Sequence, residues 1–167
     1  MNVYNKKILL ALAATVLFAA IPLYASLDED TESAYSLEGA WLVNGVVNGQ
    51  PYIWMDTYTS NSKKSAVSGT VLCTLPVMSG ITPTGHGNWV RIGKNTFAFT
   101  ALRILIDLDG YPFGTAKFWG TVSVDGENDM SGTMNVQYYD VNGNPISPVL
   151  QGTSTGERIE IELEEEQ

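Results

Sequence analysis

From Leu37 onward, no stretch of ten residues repeats its apolar positions at helical spacing, and this absence constrains the fold more than any other feature. The residues that replace a helical pattern are Gly, Thr, Val, Asn and aromatics, which points to an all-β chain. Three dipeptides punctuate its second half, Asp109-Gly110, Asp125-Gly126 and Asn142-Gly143, each able to supply the positive φ values of a tight hairpin. They are spaced to leave strands of about ten to thirteen residues, longer than the usual five or six. Long antiparallel strands joined by tight turns suit a closed meander better than a sandwich, whose turns come every eight to twelve residues or so.

The same punctuation predicts strands at 39–47, 51–59, 66–75, 87–93, 96–107, 111–124, 130–140 and 149–163. The expected fold is therefore an antiparallel up-and-down β-barrel of about eight strands, its interior either filled by side chains or wide enough for one small ligand. The less regular connections, 60–65 and 76–85, are expected at a mouth. In 111–124, alternation puts Ala116, Phe118, Val122 and Val124 on the inward side and Thr115, Lys117 and Trp119 on the other. Both sides of 96–107 are apolar, Phe97, Phe99 and Leu105 opposing Ala98, Leu102, Ile104 and Ile106, so this strand is a candidate surface for homo-oligomer formation. The closing Arg158-Ile-Glu-Ile-Glu-Leu run reads as a last strand with one wet face.

Ahead of the barrel, Lys6 and Lys7, an apolar run from Ile8 to Ile21, Pro22 and the small residues around Ala25 form the pattern of a cleaved export signal. The run is too short for a membrane span of about twenty residues. The expected organisation is thus a signal peptide at 1–25, a flexible acidic leader at 26–36, one barrel domain at 37–163 and an acidic tail at 164–167. The destination would be periplasmic or extracellular, with no membrane attachment of the mature form. Removing Lys6 and Lys7 from the nine basic residues leaves seven against eighteen acidic ones, a mature net charge of −11. Nucleic acid is excluded as a partner class, since phosphate binding needs a basic patch.

Few side chains offer chemistry. Cys73 is the only cysteine, has no disulfide partner within the chain, and lies in the apolar run TVLCTLPV, so it reads as a buried inert thiol. His86 is the only histidine, and any nucleophilic or proton-transfer machinery built on histidine must use it; its flanking glycines favour a geometric role. With Tyr139 and Asp107 it makes up the set of catalytic nominees. One His and one buried Cys do not make a zinc site, and the acidic turns at 107–110, 125–129 and 140–144 match no calcium-loop pattern, so no metal and no cofactor are expected. Arg103 sits mid-strand among Phe99, Ala101 and Leu105, where a guanidinium facing inward needs a carboxylate or a ligand's acidic head, and one facing outward is ordinary surface. The wall of a ligand pocket would draw on Trp89, Phe97, Phe99, Arg103, Phe118 and Tyr138, although aromatics of this kind equally fill cores.

The segment from Gly85 to Asn144, with its GHGNW start, Thr-Phe-rich strand, acidic Gly turn and spaced Gly-Thr pairs, followed by GTSTGERI, resembles a group of uncharacterised bacterial proteins with a GHGxW signature. The Gly39-Ala40-Trp41 opening is similar as well. That group resembles calycin-like barrels, in the neighbourhood of lipocalins and allene oxide cyclase-like proteins, which implies a barrel and brings no established activity. The functional expectation is an exported protein that binds a small apolar or amphipathic molecule. Two alternatives stand beside it: a cyclase or isomerase-type enzyme using the cavity, and a structural or protein-interaction module.

Overall fold

A computed structural model describes residues 35–61, 66–75 and 83–161. Eight strands run in chain order around a closed antiparallel barrel: β1 (Gly39–Val47), β2 (Gln50–Ser60), β3 (Ser68–Thr74), β4 (Gly85–Arg91), β5 (Thr96–Ile106), β6 (Pro112–Val124), β7 (Asp129–Asp140) and β8 (Leu150–Arg158). β8 pairs with β1 from Trp41↔Arg158 to Val47↔Gly152, which closes the sheet and leaves no free edge. The expected signal peptide, most of the leader, the connections 62–65 and 76–82, and the tail lie outside the described residues.

The turns follow from local chemistry, with one departure. Asn48 and Gly49 both adopt positive φ, 49° and 79°, which makes the β1–β2 link a two-residue hairpin. Around Gly110 and Gly143 the chain makes a three-residue loop instead: Gly110 N–H donates to Asp107 O and Gly143 N–H to Asp140 O, both at 3.1 Å, and each glycine takes the left-handed position. Gly126 does not. The β6–β7 link is closed by Asp125 N–H donating to Asp129 O at 2.9 Å, so it too is a three-residue loop, but without a glycine in the left-handed position.

Inward and outward residues alternate along every strand, and one end of the barrel is packed solid. There Leu37, Trp41, Tyr58, Val71, Trp89, Phe97 and Val124 are all 2 % exposed or less. The chain enters across this end: Trp41 Nε1 donates to Leu37 O at 2.9 Å, and Tyr35 packs on the same cluster. Arg158 fastens the entry. Its guanidinium lies 4.2 Å from the Trp41 ring centroid and donates to the carbonyls of Ser36 (2.8 Å), Glu38 and Glu127 (3.0 Å).

β8 ends at Arg158, short of the expected 163; Asp129↔Glu157 and Trp41↔Arg158 are the last pairs of the two ladders, and β7 begins at Asp129, while on the β1 side Ile159 N–H still donates to Ala40 O at 2.9 Å. Ile159 and Ile161 are exposed beyond them.

The GHGNW segment is β4 itself. Gly85, Gly87 and Trp89 face inward while His86 and Asn88 face out. Gly87 has no room for a side chain, since a Cβ would meet the Thr100 carbonyl and Ala101, and the Trp89 indole crosses Gly69 to donate to Thr59 O at 3.1 Å. The motif therefore lets strands approach closely beside a large ring.

Candidate functional site

The other end of the barrel is hollow. A cavity of about 290 Å³ extends from Tyr58 and Val122 near the packed end to Asn48 and Gln50, exposed residues at the β1–β2 turn. Its wall is chiefly apolar, with Trp54, Phe99, Phe118, Met134, Val136 and Leu150 among its members. Small-molecule sites commonly have this character, an apolar wall with a few placed polar groups.

The placed groups come from one row of paired residues. Asp56 on β2 pairs with Cys73 on β3, which pairs with Gly85 on β4. His86 pairs with Leu102, so Gly85 adjoins Arg103; Arg103 in turn pairs with Ala116 on β6, and Ala116 with Tyr138 on β7. Asp56 and Arg103 are only 5 % and 6 % exposed, the two buried charged residues of the described chain. Glycine and alanine flank Arg103 on either side in the row, and the Phe118 ring lies beneath its guanidinium at 5.1 Å.

Asp56 is held by one oxygen. Trp54 Nε1 donates to Oδ2 at 3.0 Å and the Tyr58 hydroxyl donates to the same atom at 3.2 Å, while Oδ1 has no hydrogen-bond partner. Burial raises the Asp56 carboxyl above its ordinary range, against the opposing pull of hydrogen bonds from Cys73, Trp54 and Tyr58 and of the Arg103 charge. Burial raises the Tyr58 hydroxyl and, with Asp56 beside it, the Cys73 thiol, so Cys73 is a buried protonated thiol. On Arg103, Nε and Nη2 are buried and make no hydrogen bond, and burial lowers its basicity.

The six expected wall residues divide between the two ends. Phe99, Arg103, Phe118 and Tyr138 line the cavity. Trp89 and Phe97 belong to the packed end, where their rings meet edge to face with centroids 5.5 Å apart. For Arg103 the structure decides between the two orientations left open by the sequence, and it points inward.

The catalytic nominees are not brought together. His86 is exposed on the outside of β4. Tyr139 also lies outside the cavity wall, its hydroxyl donating to Gln137 Oε1 at 2.7 Å. Asp107 is a turn residue, its Oδ1 accepting from the backbone of Asp109 (3.0 Å) and Tyr111 (2.8 Å). Asp140 does the same for Asn142 (2.9 Å) and Asn144 (2.8 Å), so these two acidic turns are explained by hairpin chemistry. Among the described residues no three His, Cys, Asp or Glu side chains converge as a metal-binding group.

Sequence reasoning missed Asp56 and Tyr58. The signal was present in Tyr-Ile-Trp-Met-Asp-Thr-Tyr, where alternation puts the carboxylate in phase with Trp54 and Tyr58. The outward apolar side of β5 is solvent-facing among the described residues, Leu102 and Ile104 each being 52 % exposed.

No protein-family model and no curated protein matches the chain. Similar solved structures are designed β-barrels. EF1p2_mFAP2b bound to DFHBI aligns with a TM-score of 0.52 at 14% identity, covering 74% of this chain and 94% of its own. The redesigned barrel b11L5F_LGL gives 0.51 at 17% identity, over 74% and 92%, and mFAP1 bound to DFHBI gives 0.50 at 17%, over 73% and 94%. At such identities the likeness concerns the barrel fold.

Proposed function

We propose that this protein binds a small apolar or amphipathic molecule non-covalently inside the barrel, and that it does so outside the cytoplasm, as the export-signal pattern of residues 1–25 suggests. The observation that carries the reading is the hollow end: an apolar, aromatic-rich cavity of about 290 Å³ in a barrel whose other end is fully packed. That two barrels of similar fold hold DFHBI supports it, because the architecture leaves room for a small molecule along its axis. An enzyme of the cyclase or isomerase type has weaker support. His86 and Tyr139 lie outside the cavity, and proton handling within it would fall to Asp56 and Tyr58.

Titration with the neutral fluorescent probe N-phenyl-1-naphthylamine tests the reading. Saturable enhancement with wild type is expected, and its loss in Met134→Trp, which fills the cavity from β7 while the protein still melts cooperatively. Absence of saturable binding, or binding unchanged in a folded Met134→Trp, counts against it.

A further inference from the structure

Resting on that reading, we propose that the molecule bound in the cavity is an acid, an amphipathic anion whose charged head seats on the Arg103 guanidinium while its apolar body lies along Phe99, Phe118 and Met134. Four observations converge on this group. Arg103 is 6 % exposed and inside the cavity wall, yet neither Nε nor Nη2 makes a hydrogen bond. Its neighbours in the paired row are Gly85 and Ala116, neither of which carries a polar side chain that could satisfy the fork. The Phe118 ring lies 5.1 Å from the guanidinium and lines the same cavity. Asp56, its nearest opposite charge, is bound through Oδ2 to Trp54 and Tyr58 and does not hydrogen-bond to Nε or Nη2.

A buried guanidinium with unmet donors is costly to the fold, and an apolar residue in its place would serve stability better. The fork geometry matches a carboxylate or sulfonate bidentately. The groups that face it are Asp56 from β2, Cys73 from β3 and Tyr138 from β7, and only Asp56 can carry negative charge there at neutral pH. Its carboxyl is already pushed towards the protonated form by burial, which reduces its repulsion of a second anion.

The test is displacement of N-phenyl-1-naphthylamine by four probes sharing one eight-carbon chain: octanoate, octanesulfonate, 1-octanol and octylammonium. Octanoate and octanesulfonate are expected to bind about ten- to a hundredfold tighter than 1-octanol, the range spanned by a buried charged hydrogen bond, with octylammonium weakest. Arg103→Met should abolish the preference for the anions and keep 1-octanol binding. If Arg103→Met does not fold, Arg103→Lys replaces it, and the anion preference should shrink several-fold. Equal binding of octanoate and 1-octanol by wild type, or an anion preference unchanged in whichever variant folds, overturns the proposal while leaving the cavity reading intact. Failure of all four chains and of the naphthylamine to bind wild type is the separate failure of that reading.

Discussion

Trp54 on β2 donates its indole N–H to Oδ2 of Asp56, two residues along the same strand, at 3.0 Å, and thereby fixes a carboxylate inside an apolar cavity. Residues two apart share a face of a strand, so the contact is local in sequence, yet burial by the whole barrel gives it its energetic weight.

Because burial raises the folded-state pKa of Asp56 above the 3.8 of an ordinary Asp, the folded protein holds its proton at a pH where the unfolded chain has released it. The contribution of that proton to stability is fully present below pH 3.8 and is lost as pH rises through the raised folded value. Asp56→Asn keeps an acceptor for Trp54 and Tyr58 and removes the titration. Denaturation midpoints compared from about pH 3 to 9 should show the variant's advantage growing as pH rises above 3.8 and then levelling. Parallel curves would sink the assignment. Asp140, whose carboxyl is lowered by Asn144 and Asn142, acts in the opposite sense and below 3.8, so the two windows separate.

Leu37 is fully buried at the packed end, and its carbonyl receives the Trp41 indole. Leu37→Ala should destabilise the barrel by about 2–5 kcal/mol through lost burial and a cavity between the entering chain and the core. Urea denaturation followed by tryptophan fluorescence measures this, and a loss below about 1 kcal/mol would mean that the entering segment contributes little.

Gly120 is a position where sequence context alone underestimates the constraint. A Cβ there would run into the Thr133 carbonyl and Met134 Cα on β7, so Gly120→Ala should cost about 1–3 kcal/mol by forcing the strands apart. Gly126→Ala is the control: the nearest atom is the Asp129 side chain at 3.5 Å, and a change within about 0.5 kcal/mol is expected. Thermal melts of the two variants should differ plainly.

His86→Ala should leave naphthylamine binding unchanged and shift stability by no more than about 0.5 kcal/mol, since the imidazole is on the outer surface. A large loss of binding would place the site elsewhere than the cavity.

The eight strands and their inward phases were legible because hairpin turns and period-two alternation are local properties, readable from Asn142-Gly143 or from Ala116, Phe118 and Val122 without any knowledge of partners. Gly126 misled because Asp-Gly permits a positive φ without requiring it, and the loop closed by Asp125 and Asp129 forms without one. The Ile-Glu alternation after Arg158 misled for a related reason: alternation shows what a strand would bury, but β7 begins at Asp129, so past Arg158 the chain has β1 backbone on one side alone.

The candidate site divides along the same line. The chain by itself determined that Arg103 was an anomaly in an apolar strand, that Cys73 was buried, and that Phe99, Phe118 and Tyr138 were available to a pocket. Only the tertiary structure decided that Arg103 points inward, that Trp89 and Phe97 fill one end while the other stays hollow, and that Asp56, 47 positions earlier in the chain, shares the cavity with Arg103. The reason is that cross-strand register, set by five successive pairings between β2 and β7, assembles the Asp56–Tyr138 row, and no local pattern encodes which residues those pairings will bring level.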